Sequence, residues 1–231
     1  MHTSALSIGI ALLAVALPAS AHYIWIERQG GRARLYFGEY QDNEREKAGG
    51  RLDEIRGPRA WFLDRHGQRR ELPADKRADH FDLGPVNAAA VFAEEPGYEV
   101  RDWTRFGYGV SKPMFYARYA TRGAVSAQEP QLTLDVLPLD TRRLRVTFRG
   151  LPLAKAKVTV YAPNTWLQER RTDERGEVSI ATPWPGQYVI EVTHVERQPG
   201  QFDGKSYENL RHRMTLSVLK SRSASRRALA R

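Results

Sequence analysis

Three histidines carry the chemistry this chain can do most readily: His22, His194 and His212. An apolar stretch, residues 5–17, precedes His22, and the small residues Ala19 and Ala21 follow it at the spacing of a signal-peptidase site. Cleavage after Ala21 makes His22 the first residue of the mature chain. A terminal histidine offers its α-amine and its ring Nδ1 together, and these close a chelate on a metal ion. An internal histidine has no such amine.

His194 and His212 end two stretches of period-two alternation. Tyr188, Ile190, Val192 and His194 share one face, and His212, Met214, Leu216 and Val218 share another. One polar connection, residues 195–211, joins the two stretches. Antiparallel pairing brings both imidazoles to the same strand end, with opposed Cβ atoms about 4.5–5.5 Å apart, near enough to share an ion. The expected metal site is therefore His22, His194 and His212. Its nitrogen donors suit copper, nickel or zinc, and the Irving–Williams order favours copper in raw affinity. Glu196 shares the face of His194 and is a further ligand or an acceptor for an imidazole N–H. The competing reading makes His194 and His212 structural, bonded to backbone or to Tyr207, with Met214 as core.

The remaining candidates are weaker. His66 lies in a turn, and His80, between Asp79 and Phe81, reads as a surface residue. Glu39, Arg45, Glu46 and Lys47 read as the solvated face of a short helix. Asp53 and Glu54 are adjacent and point apart. The many aromatics read as core. The chain has no Gly-x-Ser-x-Gly, P-loop, dinucleotide-binding glycine turn or His-Glu-x-x-His. It has no cysteine, which excludes disulfides, thiolate zinc sites, haem attachment and thiol catalysis.

The elements that must position these residues read as strands and turns. The expected boundaries are 1–21 for the signal peptide, 22–130 for a β-rich N-terminal domain, 131–219 for a C-terminal β-sandwich and 220–231 for a disordered tail. Residues 22–27 and 32–37 alternate around Gly30-Gly31 as a hairpin, and residues 58–64 and 68–72 form a second. Residues 42–56 are charged and predict a short helix broken at Gly49-Gly50. Residues 87–93 and 114–120 are further strands, with loops between them. After residue 130, short strands recur at even spacing, as in a β-sandwich. The net charge of +9 owes five positives to the tail, which has no acid. That tail is either solvated chain or a contact for an anionic membrane surface. An exported chain meets no nucleic acid, so basicity does not imply nucleic-acid binding. The apolar stretch is short for a transmembrane anchor, which needs roughly 20 apolar residues.

Two resemblances sharpen these expectations. Residues 150–160 (GLPLAKAKVTV), 172–178 (TDERGEV) and 185–188 (PGQY) resemble immunoglobulin- and transthyretin-like domains of secreted proteins. The whole mature chain resembles an uncharacterised periplasmic family, formerly labelled as nickel-transport components, whose members begin Ala-His-x-x-Trp-x-Glu. Here the motif is Ala21-His22-Tyr23-Ile24-Trp25-Ile26-Glu27. The resemblance implies a periplasmic location, a mostly β fold of two sandwich-like domains and a bound transition metal. The expected partner is a membrane metal transporter or an outer-membrane receptor. The expected function is an accessory protein for metal uptake or handling. The alternatives are a metal-free module for a carbohydrate or protein partner and, least favoured, a copper monooxygenase with an N-terminal histidine brace.

Overall fold

A computed structural model describes residues 22–121 and 129–221. Residues 1–21, expected as a signal peptide, and most of the basic tail lie outside the described residues. The first hairpin forms as its alternation demands. Strand β1 (Tyr23–Gln29) pairs antiparallel with β2 (Arg32–Glu39), from Tyr23 opposite Gly38 to Gln29 opposite Arg32. Gly30 and Gly31 take φ of 57° and 77° at the two-residue turn, a conformation that residues with a Cβ resist. The short β3 (Glu44–Arg45) folds back onto the end of β2. No α-helix occupies residues 42–56. The backbone there makes only the strand β3 and single 3₁₀ turns at Tyr40–Asp42 and Arg51–Glu54.

The second expected hairpin is β4 (Arg59–Leu63) with β5 (Arg69–Leu72). Then come β6 (Asp75–Lys76), β7 (Phe81–Pro85), β8 (Ala90–Glu95), β9 (Arg101–Asp102) and the long β10 (Val110–Ala120). The second half contributes β11 (Leu134–Pro138), β12 (Arg143–Phe148), β13 (Leu151–Pro152), β14 (Lys157–Tyr161) and β15 (Leu167–Arg171). It continues with β16 (Glu177–Ser179), β17 (Gly186–Glu196), β18 (Gly200–Phe202), β19 (Lys205–Tyr207) and β20 (Asn209–Lys220). No helix among the described residues is long and apolar enough to cross a membrane.

These strands build two sandwiches that share one sheet. The shared sheet has nine strands, in the order β15-β14-β17-β20-β10-β8-β4-β5 with β9 beside β10. On one face, Val91, Ala93, Phe115 and Ala117 pack against Ile24, Ile26, Leu35 and Phe37 of a five-stranded sheet made of β1, β2, β3, β6 and β7. On the other, Phe92, Tyr116, Val158, Ile190, Met214 and Leu216 pack against Leu134, Val136, Leu144 and Val146. Those last four belong to the four-stranded sheet of β11, β12, β13 and β16. Burying one such side chain stabilises by roughly 1.5–3 kcal/mol. An exposed ion pair contributes about 0–1 kcal/mol, so the apolar rows decide which face of each strand turns inward.

Strands from both sides of residue 130 pair within one sheet. β10 and β20 pair in parallel, from Ser111 opposite Asn209 to Ala120 opposite Val218. A buried ion pair adds a second tie. Arg118 on β10 and Asp135 on β11, each 0% exposed, meet at 2.5 Å.

Candidate metal centre

His22 sits where the hairpin register puts it. Tyr23 faces Gly38 across the β1–β2 ladder, so His22 falls beside Glu39. Glu39 in turn pairs with Glu44 across the β2–β3 ladder. A cross-strand row results: His22, Glu39, Glu44. Ile24 and Ile26 continue the row of His22 inward, as Phe37 and Leu35 continue that of Glu39. The polar residues therefore cap one end of an apolar core. The His22 ring packs on Phe37, centroids 5.3 Å apart.

One ligand atom from each of His22, Glu39 and Glu44 lies within 4.8 Å of the others. His22 Nδ1 is 3.3 Å from Glu39 Oε1, and Nε2 is 3.8 Å from Glu44 Oε1 and 2.5 Å from Glu46 Oε1. Ligands around a tetrahedral ion at the usual ~2.0–2.2 Å are roughly 3.4 Å apart. The His22–Glu39 separation is close to that spacing, while Glu44 and Glu46 approach the other ring nitrogen. The donors of the cluster are one imidazole and carboxylates, a set that suits zinc or nickel and is less copper-selective than three imidazoles. A cation already stands nearby. Arg51 Nη1 is 2.9 Å from His22 Nε2 and 3.2 Å from Nδ1. Its side chain is 44% exposed, so it can swing into solvent.

Gly38 makes this convergence possible. Its φ is 144°, and a Cβ there would lie 2.2 Å from the Glu44 carbonyl oxygen. Only glycine lets β3 approach β2 so closely. Gly38→Ala is expected to destabilise the protein by about 2–3 kcal/mol in urea unfolding and to splay Glu44 away from His22.

His194 and His212 do face each other, as the alternation predicts. They are directly paired across the β17–β20 ladder, with ring centroids 6.4 Å apart. They do not join His22. Arg213 donates to the His22 carbonyl oxygen at 3.4 Å, and Thr215 Oγ1 donates to that of Ile24 at 2.7 Å. The odd-numbered residues of β20 therefore face β1. His212 is even-numbered and lies on the opposite face, where Phe148 packs on both its ring and that of His194. The shared sheet stands between, and a nitrogen on each side of it cannot reach one ion. The three-histidine site is corrected on this ground. The histidine brace likewise loses its second histidine, because carboxylates surround His22.

His212 has other work. Its Nδ1 is 3.0 Å from the Tyr116 hydroxyl, and its Nε2 is 3.3 Å from Glu196 Oε2. Glu196 is thus a partner for an imidazole, of His212 and not of its own strand neighbour. Tyr207 is not the partner. Burial pushes the His212 pKa from the ordinary 6.5 down to about 4, with Glu196 opposing the shift. The unfolded chain takes up a proton near pH 6.5 that the folded chain refuses until about pH 4. Stability from this group is present above pH 6.5 and is lost as pH falls from there to about 4, by roughly 3 kcal/mol at most. Urea midpoints across that interval should fall more steeply for the native chain than for His212→Gln.

The other sequence candidates stay apart. His66 lies in the β4–β5 turn, where its backbone N–H bonds Asp64 Oδ1. His80 Nδ1 is 2.6 Å from Asp79 and its ring packs on Tyr36. The charged run after β2 is not a helix face. Glu39 and Glu46 turn toward His22, while Arg45 pairs with Glu27 at 2.9 Å. The overlooked residues are Glu39, Glu44 and Glu46. The hairpin register carried the signal for Glu39, since a turn at Gly30-Gly31 places it beside residue 22.

The chain matches no family model, and neither curated proteins nor solved structures yield a similar protein.

Proposed function

We propose that this chain is an exported accessory protein that binds a transition metal ion at its mature N-terminus and presents it to a membrane transporter or receptor. The observation that carries the reading is the cross-strand row of His22, Glu39 and Glu44, built at the rim of a core by three neighbouring strands. Cleavage after Ala21 would add the α-amine of His22 to the imidazole and carboxylates. The donor set would then hold two nitrogens and two or three oxygens, which suits nickel, zinc or copper. The signal-like segment and the Ala-His-x-x-Trp-x-Glu start support export to the periplasm and the metal-handling role.

The guanidinium of Arg51 stands in the same acidic setting and competes with a metal cation for it. Arg51→Gln is expected to tighten nickel or zinc binding by about tenfold, because it removes a positive charge a few ångströms from the ion. Calorimetric titration of the mature protein checks this. Elemental analysis tests the reading as a whole. Protein recovered from the periplasm should carry close to one equivalent of metal, and Glu39→Gln with Glu44→Gln should recover without it. Metal-free native protein, as stable with a chelator as without, would overturn the reading in favour of a metal-free binding module.

A further inference from the structure

A polar groove of about 450 Å³ opens on the same side of the shared sheet as β1, beyond Glu39. Its floor is the odd-numbered face of β14, β17 and β20. Three of its acids and two of its bases have partners. Arg213 Nη2 pairs with Glu191 Oε1 at 2.8 Å, Lys157 pairs with Glu169, and Glu39 faces His22. The third base is Arg211. It is 6% exposed, yet no carboxylate of the described residues lies within ion-pair distance, and its Nε has no hydrogen-bond partner. Its guanidinium carbon lies over two aromatic rings, 5.0 Å from the centroids of both Trp103 and Tyr108. A backbone bond from Tyr108 N–H to the Trp103 carbonyl oxygen closes the loop that carries both rings.

Glu191, from a distance, and Tyr108 favour the charge of Arg211, but a buried cation with no carboxylate in direct contact is costly, and proteins rarely leave one so. Burial first, and Arg213 next, lower the Arg211 pKa to about 10, so the group stays charged at neutral pH. The planar guanidinium fork matches a carboxylate through two parallel hydrogen bonds. The acids around the groove disfavour a dianion such as a phosphate ester. The volume is that of a small-molecule site.

We propose that this groove binds a small organic carboxylate, its acid group seated on Arg211 beside Tyr108. Thr159 and Thr193 line the same floor and supply hydroxyls for the body of the ligand. The site does not rest on the metal reading, and its test uses metal-free protein so that the two stand or fall separately.

Mature protein stripped on a chelating resin is titrated with acetate, lactate, benzoate and glutamate, each of net charge −1, at constant ionic strength. Each is taken to about 10 mM, which covers millimolar affinities. The NMR signal of the Trp103 indole N–H reports occupancy beside Arg211. At least one carboxylate should shift it saturably, with inorganic phosphate and sulfate markedly weaker. Arg211→Lys keeps the charge but loses the planar fork, and should weaken binding by about tenfold; Arg211→Gln should abolish it. If Arg211→Gln fails to fold, the Lys variant decides. The proposal is overturned by the absence of a saturable shift with all four acids. It is equally overturned by unchanged binding in the Arg211 variants, or by phosphate binding more tightly than every carboxylate.

Discussion

Mature protein that begins at His22 should lose transition-metal binding when His22 is replaced by Ala, and should keep it when His194 or His212 is replaced. The expected loss for His22→Ala is on the order of 100-fold or more, since even residues that only orient a ligand contribute 10–100-fold. The ring of His22 reaches Glu39, Glu44 and Glu46, whereas His194 and His212 lie across the shared sheet against Phe148. A chain with one extra residue before His22 separates the roles of ring and amine. It retains the imidazole and carboxylates but has no amine–imidazole chelate. Its nickel affinity should fall between those of the native chain and His22→Ala. Equal affinity for extended and native chains would remove the amine from the site, and undiminished binding in His22→Ala would remove the site altogether.

The largest effect on stability is expected at the tie between β10 and β11. Asp135 accepts from Arg118 at 2.5 Å and also from the backbone N–H groups of Gln131 and Val136 at 2.8 and 2.9 Å. Asp135→Ala removes the carboxylate that the buried Arg118 guanidinium pairs with. Breaking such a pair from one side costs about 3–5 kcal/mol, which lowers the melting temperature of a chain this size by about 10 °C. Arg118→Met with Asp135→Leu removes both charges and should recover part of the loss. Recovery stays incomplete because the backbone donors of Gln131 and Val136 lose their acceptor. Thermal unfolding of the two variants checks both statements. An Asp135→Ala protein within about 1 kcal/mol of the native chain would show that the pair is not the tie between the sheets.

What local alternation can encode is legible in the sequence. The β1–β2 hairpin, the β4–β5 hairpin and most strands of the second half follow from period two and turn residues. So does the opposition of His194 and His212, which needs only parity and one connection. The parallel pairing of β10 with β20 is not legible, because it joins segments nearly a hundred residues apart with no turn to fix their register. That pairing turns two expected domains into two sandwiches on one sheet. The same pairing decides the site. Parity places His194 and His212 on one face together, but only the crossing of β1 over Arg213 and Thr215 reveals that His22 lies on the other. The acids of the centre are hidden for a different reason. Charged residues without β-branched neighbours read as helix, and the strand β3 forms there because Gly38 admits a backbone approach that any side chain would block.

Anomalous diffraction from crystals of the mature protein grown with nickel tests the central claim most directly. A single strong peak is expected within about 2.0–2.3 Å of a His22 nitrogen and of carboxylate oxygens from Glu39 and Glu44, with the Arg51 side chain displaced toward solvent. A peak between His194 and His212, or no peak near His22 at full nickel occupancy elsewhere, would contradict it.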